Sequence, residues 1–118
     1  MAEDMNIVIL VGRITRDAEL KYMNNGTAIS TFAIAVNRRR KNGDEYKDEV
    51  SFFDLALFGQ KAENLNQYLT KGQQVCVQGK LKQDTWEKDG QKHSKTAIEV
   101  WSTQLLGGKP KQQTDDIY

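Results

Sequence analysis

Cysteine and histidine are almost missing from this sequence of 118 residues, which contains Cys76 and His93 as its single examples. A lone cysteine excludes a disulfide within the chain and favours a reducing compartment such as the cytoplasm. A structural zinc site needs more Cys and His ligands than the chain contains. We therefore expect no metal site and no other cofactor.

Long apolar runs and a dominant charge are missing as well. The longest apolar run, residues 7–11, is far shorter than the roughly 20 residues that cross a bilayer. Residues 1–4 are acidic where a signal peptide would be basic. The 17 Lys and Arg against 16 Asp and Glu give a net charge of +1, which leaves the partner open because acidic residues can mask a basic face. The expectation is a soluble cytoplasmic protein.

The sequence also offers no group of residues arranged for catalysis. Cys76 and His93 could act as a thiolate and its base, but no third group orients them and no catalytic signature surrounds either residue. The adjacent carboxylates at 48–49 and 115–116 have no pocket signal around them, and glycines 107–108 do not open a helix as a phosphate-binding loop does. We predict that the protein is not an enzyme.

Alternation of apolar and polar residues, typical of strands, fills most of the chain. The run at 7–11 is β-branched and predicts a strand buried on both faces, and Asn25-Gly26 and Asp89-Gly90 predict hairpin turns. The predicted strands are residues 7–11, 27–36, 45–58, 75–82 and 95–101, with helical spacing over residues 59–71. Three strands, a helix and two strands are the connectivity of the OB-fold barrel.

We therefore predict an all-β fold with one helix, a five-stranded OB-fold barrel in a single domain of residues 1–108. Periodicity ends there, so residues 109–118 are predicted to be a short disordered C-terminal tail. Other small β-barrels share this order of elements, and a fold does not fix a function.

Aromatic and basic residues on the proposed barrel indicate nucleic-acid binding. Single strands are held by aromatic platforms that stack on bases and by cations along the backbone. Phe52 and Phe58 are in phase on one face of the long strand, and Trp86 lies beside a turn, where a core Trp would be unexpected. The candidate cations are Lys80 and Lys82 on an outward strand face and Arg38, Arg39, Arg40 and Lys41 in a predicted loop.

Each of these features also has a purely structural interpretation. Periodicity alone gives equal weight to a core position and an outward position for Phe52 and Phe58. The basic run, taken alone, favours a solvated loop. Trp101 is interpreted as a packing or interface residue. From the residues alone, the prediction is a nucleic-acid-binding OB barrel.

Seven segments in this order resemble the bacterial single-stranded-DNA-binding proteins, over about residues 5–108. They are residues 6–17 (NIVILVGRITRD), 32–38 (FAIAVNR), 58–63 (FGQKAE), 68–72 (YLTKG), 79–81 (GKL), 86–90 (WEKDG) and 105–108 (LLGG). The resemblance implies an OB-fold protomer of a homotetramer that binds and protects single-stranded DNA, without sequence specificity, during DNA replication, recombination and repair.

The resemblance also implies roles for individual residues. The family's base-stacking positions correspond to Phe52, Phe58 and Trp86, with Arg40 near a fourth, where its guanidinium would stack. Backbone contacts correspond to Lys21, Lys71 and Lys82.

The C-terminal end resembles the family's acidic tip, through which replication and repair proteins dock. The docking residues would be Asp115, Asp116, Ile117 and Tyr118, although the Gly/Gln/Pro-rich linker is nearly absent and the tip lacks its Pro and ends in Tyr. Asp54 and Gln60 stand where some relatives have cations. Three rival interpretations remain open: a primosome-type OB protein, a protein-interaction module and an OB-fold nuclease.

Overall fold

A computed structural model describes residues 3–107, and strands dominate it. The strands are β1 (Val8–Ile14), β2 (Glu19–Tyr22), β3 (Ala28–Asn42), β4 (Glu45–Phe58), β5 (Gln74–Lys88) and β6 (Gln91–Leu106), with α1 (Gln60–Leu65) and a 3-10 turn (Asn66–Tyr68) between β4 and β5. The predicted order of elements is confirmed, with the short β2 as an addition that was not predicted as a strand.

Five of these strands close a barrel, which confirms the predicted OB-fold architecture. The order around the barrel is β1-β5-β6-β4-β3, and β1 returns to β3 through Arg13 opposite Ala35 and Ile14 opposite Ile34. β4 and β6 pair in parallel, and the other pairs are antiparallel. The short β2 lies outside this ring, paired with β3 alone.

The barrel interior holds one apolar core built from alternate residues of each strand. Its buried members are Ile14, Ala28, Phe32, Ile34, Leu55, Leu57, Ala62, Leu69, Val75, Val77, Ile98 and Val100. Ser30 is buried among them, and its hydroxyl has a hydrogen-bond partner because it donates to Asn66 Oδ1 at 2.7 Å. Alternate side chains of β3, β4 and the start of β5 therefore face the core.

The prediction that residues 7–11 are buried on both faces is wrong for the single chain. Val8 and Leu10 pack against the core, whereas Ile7, Ile9 and Val11 are exposed. A barrel wall is one sheet thick, so only one face of β1 can meet the core, and no second layer within residues 3–107 covers the other.

The helix is shorter than the 59–71 span of helical spacing. α1 ends at Leu65 and tightens into the 3-10 turn, after which Leu69 leaves helical geometry and becomes fully buried. Because Leu69 is no longer helical, its carbonyl can accept a hydrogen bond from the backbone N–H of Ala18 at 2.9 Å. Within residues 3–107, no helix is long and apolar enough to cross a membrane.

Two long hairpins project from the barrel. The β3–β4 hairpin pairs continuously from Ile29 opposite Phe58 to Asn42 opposite Glu45, and the β5–β6 hairpin runs out to Lys88 opposite Gln91. Residues 38–41 therefore belong to β3 and not to a loop, because the backbone hydrogen-bond ladder continues where the apolar alternation stops. These hairpins carry most of the candidate site.

Candidate nucleic-acid interface

Strand alternation places Phe52 and Phe58 outside the barrel. Their neighbours Leu55 and Leu57 are buried in the core, so the even-numbered positions of β4 face outward. Phe52 is 66% exposed and Phe58 is half-buried. Of the two interpretations that periodicity left open, the core position is excluded for Phe52, and Phe58 lies on the same outer face.

Trp86 lies on the β5–β6 hairpin beyond the barrel and is 45% exposed. Its direct cross-strand partner is His93, and the two rings stack with centroids 5.6 Å apart and an interplanar angle of 20°. Sequence reasoning did not pair His93 with Trp86. The signal was available, because the two residues are equally distant from the Asp89-Gly90 turn and must face one another in a two-residue hairpin.

The outer faces of the two hairpins form one surface. Lys80 and Lys82 share the outward face of β5 with Trp86, and on β6 Lys95 reaches from that face to Asp54 of β4, with Nζ 2.9 Å from Oδ2. We call the surface that carries Phe52, Phe58, Lys80, Lys82 and Trp86 the outer aromatic face. Sequence reasoning missed Lys95, whose place beside β4 depends on the parallel β4–β6 pairing.

Lys21 extends this surface, whereas Lys71 is placed apart from it. Lys21 on β2 pairs with Ile29, which in turn pairs with Phe58, so all three share one face of the sheet. Lys71 is exposed in the segment after the 3-10 turn, where its backbone N–H donates to Asp17 Oδ1 at 2.9 Å.

The basic run is divided between the two faces of the β3–β4 hairpin. Arg38 donates through Nε and Nη2 to Glu49 Oε1 at 2.9 and 2.7 Å, and Arg40 donates through Nη1 to Glu49 Oε2 at 3.2 Å. Arg39 points to the other face, where its Nε lies 3.8 Å from Asp48 Oδ1. The structure thus brings Arg39 to the side of Phe52, and it places Arg40 on the opposite side.

The two arginines change the acidity of Glu49. Their hydrogen bonds, with Arg38 first and Arg40 second, hold the pKa of the Glu49 carboxyl below its ordinary value because they stabilise its charged form. Near β2, a hydrogen bond donated by the Tyr22 hydroxyl to Glu63 Oε2 at 2.9 Å raises the pKa of Tyr22 and ties β2 to α1. Tyr22 is exposed, and Glu49 is half-buried.

The structure keeps Cys76 and His93 apart, and residues 3–107 hold no cluster of metal ligands. Cys76 is half-buried on β5 opposite Gln104, whereas His93 lies eleven residues away along β6 from Gln104, about 35 Å of strand at about 3.3 Å per residue. The two side chains therefore cannot form a dyad. The described residues contain no group of three His, Cys, Asp or Glu that could hold a metal ion. The predicted docking residues Asp115, Asp116, Ile117 and Tyr118 lie outside the described part.

Comparisons with known proteins find similar sequences over most of the chain. A family model described as the single-strand binding protein family matches residues 5–106. A single-stranded DNA-binding protein of Treponema pallidum (strain Nichols) is 54% identical over 104 residues, covering 88% of this chain and 59% of the relative. One from Borreliella burgdorferi is 46% identical over 105 residues, covering 87% and 70%. The chain thus spans only part of these relatives.

Solved structures give the same result at the level of the fold. A Plasmodium falciparum SSB in complex with ssDNA superposes with a TM-score of 0.82 at 26% identity, over 91% of this chain and 99% of that one. A deletion mutant of the single-stranded DNA binding protein from Thermus aquaticus also gives 0.82, at 29% identity, over 92% and 54%.

Proposed function

The chain belongs to the single-strand binding protein family, and on that premise we propose that it binds and protects single-stranded DNA without sequence specificity and catalyses no reaction. The observation that carries the proposal is the outer aromatic face, where large aromatic rings stand in solvent between lysines. Every base has a flat π face, so stacking tolerates any sequence. Lysines contact phosphates, which are the same at every nucleotide.

In the proposed binding mode, Phe52, Phe58 and Trp86 stack on bases while cations follow the backbone. Lys21, Lys80 and Lys82 lie along the outer aromatic face and fit that role by position. Lys71 and the arginine run, with Lys41, are proposed as further backbone contacts at the margins. Arg40 remains a proposed stacking residue, for a base on the opposite side of the β3–β4 hairpin, where Glu49 holds its guanidinium.

We further propose that the protein is a homotetramer. The exposed side chains of Ile7, Ile9, Val11 and Trp101 form an apolar patch that a second copy would cover. β1 also pairs with β3 only at Arg13 and Ile14, so the backbone groups at positions 8–12 have an open edge on that side. An open edge beside an apolar patch suits strand pairing between symmetric copies.

The proposed role is coating of DNA during replication, recombination and repair, in the cytoplasm at the nucleoid. In this proposal residues 1–108 bind DNA, and residues 109–118 end in Asp115, Asp116, Ile117 and Tyr118, two carboxylates before two apolar side chains. Such a tip fits a hydrophobic pocket with a basic rim on replication and repair proteins. Deletion of residues 115–118 should remove their capture while leaving affinity for DNA equal or slightly higher at low salt.

A fluorescence titration tests the central proposal. Trp101 lies on the apolar patch and would add an uninformative signal, so the Trp101→Phe variant makes emission report Trp86 alone. Addition of oligo-dT should quench that emission, because a base stacked on the indole deactivates its excited state. Unchanged emission with no binding would instead favour a protein-interaction module, and cleavage of labelled DNA with added metal ions would favour a nuclease.

A further inference from the structure

Tyr46 is an exposed aromatic residue that has no role in the binding mode proposed above. It lies one residue inside β4 from the turn of the β3–β4 hairpin and is 62% exposed. Its cross-strand partner is Lys41, and the uninterrupted pairing of β3 with β4 places it on the face that carries Phe52. A tyrosine at the exposed end of a hairpin has no core to fill, so its ring is free for another contact.

Tyr46 continues a regular spacing of aromatic rings along β4. Tyr46, Phe52 and Phe58 are each six residues apart, which keeps all three on one face of the strand. At about 3.3 Å per residue, neighbouring rings are about 20 Å apart along the strand. Tyr46 thus stands as far from Phe52 as Phe52 does from Phe58, the distance of a few nucleotides of an extended single strand.

The charges around these rings repeat in the same way. An aspartate follows two residues after Tyr46 and two residues after Phe52, as Asp48 and Asp54. A cation from the neighbouring strand lies against each carboxylate, Arg39 at 3.8 Å from Asp48 and Lys95 at 2.9 Å from Asp54. The negative charges that would repel a phosphate backbone are therefore offset next to both rings.

Arg39 also contacts the Tyr46 ring directly. Its guanidinium carbon lies 5.6 Å from the ring centroid, within cation–π range. An arginine beside an aromatic ring offers both elements that single-strand binding requires, a flat surface for a base and a cation for a phosphate. Phe52 and Phe58 lack such a partner among the cation–π contacts of residues 3–107.

We propose that Tyr46 and Arg39 form a further binding position for an unpaired base and its phosphate at the tip of the β3–β4 hairpin, which extends the path of single-stranded DNA beyond Phe52. The proposal rests on the proposed function, since it lengthens the same binding surface. In this proposal Tyr46 and Arg39 bind DNA on the face of the hairpin that carries Phe52. Arg40 lies on the other face and takes no part in this position.

The test compares oligo-dT binding by the full chain and by single variants over a series of lengths. Tyr46→Ala should weaken binding of long oligonucleotides from about fivefold to about a hundredfold, the loss of one stacked base. On oligonucleotides too short to extend past Phe52 the same variant should bind like wild type. Tyr46→Phe should keep the affinity because the ring remains, and Val50→Ala should keep it because Val50 is an exposed side chain on the same face without a ring.

A crosslink supplies a readout that a purely structural role of Tyr46 would not change. Oligonucleotides carrying 5-iodouracil should crosslink to Tyr46 on irradiation, identified by mass spectrometry of the digested protein. If Phe52→Ala weakens binding while Tyr46→Ala does not, and no crosslink forms at Tyr46, the tip position is excluded and DNA binding stands. If wild type binds no oligo-dT at all, the proposed function fails, and the tip position fails with it.

Discussion

Trp86 and Phe58 are the residues on which base stacking depends most directly. Trp86 lies far out on the β5–β6 hairpin, and Phe58 is at the barrel end of the β4 aromatic positions. Trp86→Ala and Phe58→Ala should each weaken oligo-dT binding by about 1–3 kcal/mol. Fluorescence anisotropy of labelled oligo-dT measures the loss.

A control for this prediction lies on the same strand. Leu81 is 48% exposed and faces the opposite side of β5 from Trp86. Leu81→Ala should leave the affinity unchanged, and all three variants should retain the circular dichroism of the wild type. Wild-type affinity in both aromatic variants would mean that DNA follows another face.

The pH dependence of Glu49 is a second prediction at the residue scale. Arg38 and Arg40 lower the pKa of Glu49 in the folded chain below its ordinary value of 4.5. A carboxyl whose pKa falls on folding stabilises the fold above its unfolded pKa, and this contribution disappears as the pH falls through the folded pKa. The stabilising contribution of this ion pair should therefore be present at neutral pH and lost in acid below pH 4.5.

Carbon-13 NMR of the Glu49 carboxyl measures this titration. The midpoint should lie below the ordinary value in wild type and move back toward it in Arg38→Gln, which removes the larger contribution. Arg39→Gln is the matched control, because Arg39 lies near Asp48 on the other face. An equal midpoint in wild type and Arg38→Gln would show that the ion pair does not form in solution.

The β3–β4 hairpin shows what alternation in a sequence can and cannot predict. It placed Phe52 and Phe58 on one face of the long strand, but it could not decide whether that face belonged to the core, because both faces carry large apolar groups. It also ended β3 before Arg38, since charged residues carry no apolar period. The strand continues because backbone pairing depends on the turn at residues 43–44 and not on side-chain polarity.

The position of the first strand was predicted correctly, but the burial of its side chains was not. The apolar residues at 7, 9 and 11 indicate a face that avoids water, and this information does not say which molecule covers it. Within residues 3–107 of the single chain the face is open, whereas in the proposed oligomer a second copy covers it. Sequence alone cannot distinguish these cases because the free energy of burial depends on the area removed from water, whichever chain removes it.

The pairing of β5 with β6 depends on the absence of a side chain at Gly79. A Cβ built there would lie 2.2 Å from the Glu99 carbonyl oxygen, at the irregular register between Gln78 and Gly79. The Cβ position is fixed by the backbone of residue 79, and the Glu99 carbonyl is itself a backbone group, so neither can rotate away. Gly79→Ala should therefore lower the free energy of unfolding by about 1–3 kcal/mol, the usual cost of overpacking a close contact.

Urea denaturation followed by circular dichroism measures this change. Lys80→Ala is the control, because the neighbouring position is exposed and faces outward, and its midpoint should stay near that of wild type. Unchanged stability in Gly79→Ala would mean that the two strands can separate at this point without loss of pairing.

At the scale of the whole molecule, the order of elements indicated a small β-barrel, and the family resemblance singled out the OB fold among the barrels that share this order. The connectivity of three strands, a helix and two strands admits few closed arrangements, and β2 was missed because its four residues give too little alternation. The surface that joins the hairpins was beyond prediction from spacing alone. The contact of Lys95 with Asp54 depends on parallel pairing between strands distant in sequence, which no local pattern records.

The oligomeric state is the prediction that concerns the molecule as a whole. We expect light scattering at micromolar concentration to give four times the chain mass of 13.4 kDa. Ile9 is 59% exposed on the apolar patch, so Ile9→Glu should lower the mass by placing a charge in the interface without disturbing the core. Met23→Glu, at an exposed position between β2 and β3, should leave the assembly intact. A wild-type mass of one chain would exclude the tetramer.

The pairing of the hairpins also bears on how the chain folds. Each hairpin joins residues close in sequence, beginning with Asn42 opposite Glu45 and Lys88 opposite Gln91. The seam between them is only three pairs long and joins Leu55 to Ile98, while β1 joins Val8 to Gly79. Contacts near in sequence close short loops at low entropic cost, whereas barrel closure must overcome the entropy of long ones. The β3–β4 and β5–β6 hairpins, which carry the aromatic rings, are therefore expected to form before the barrel from which they project.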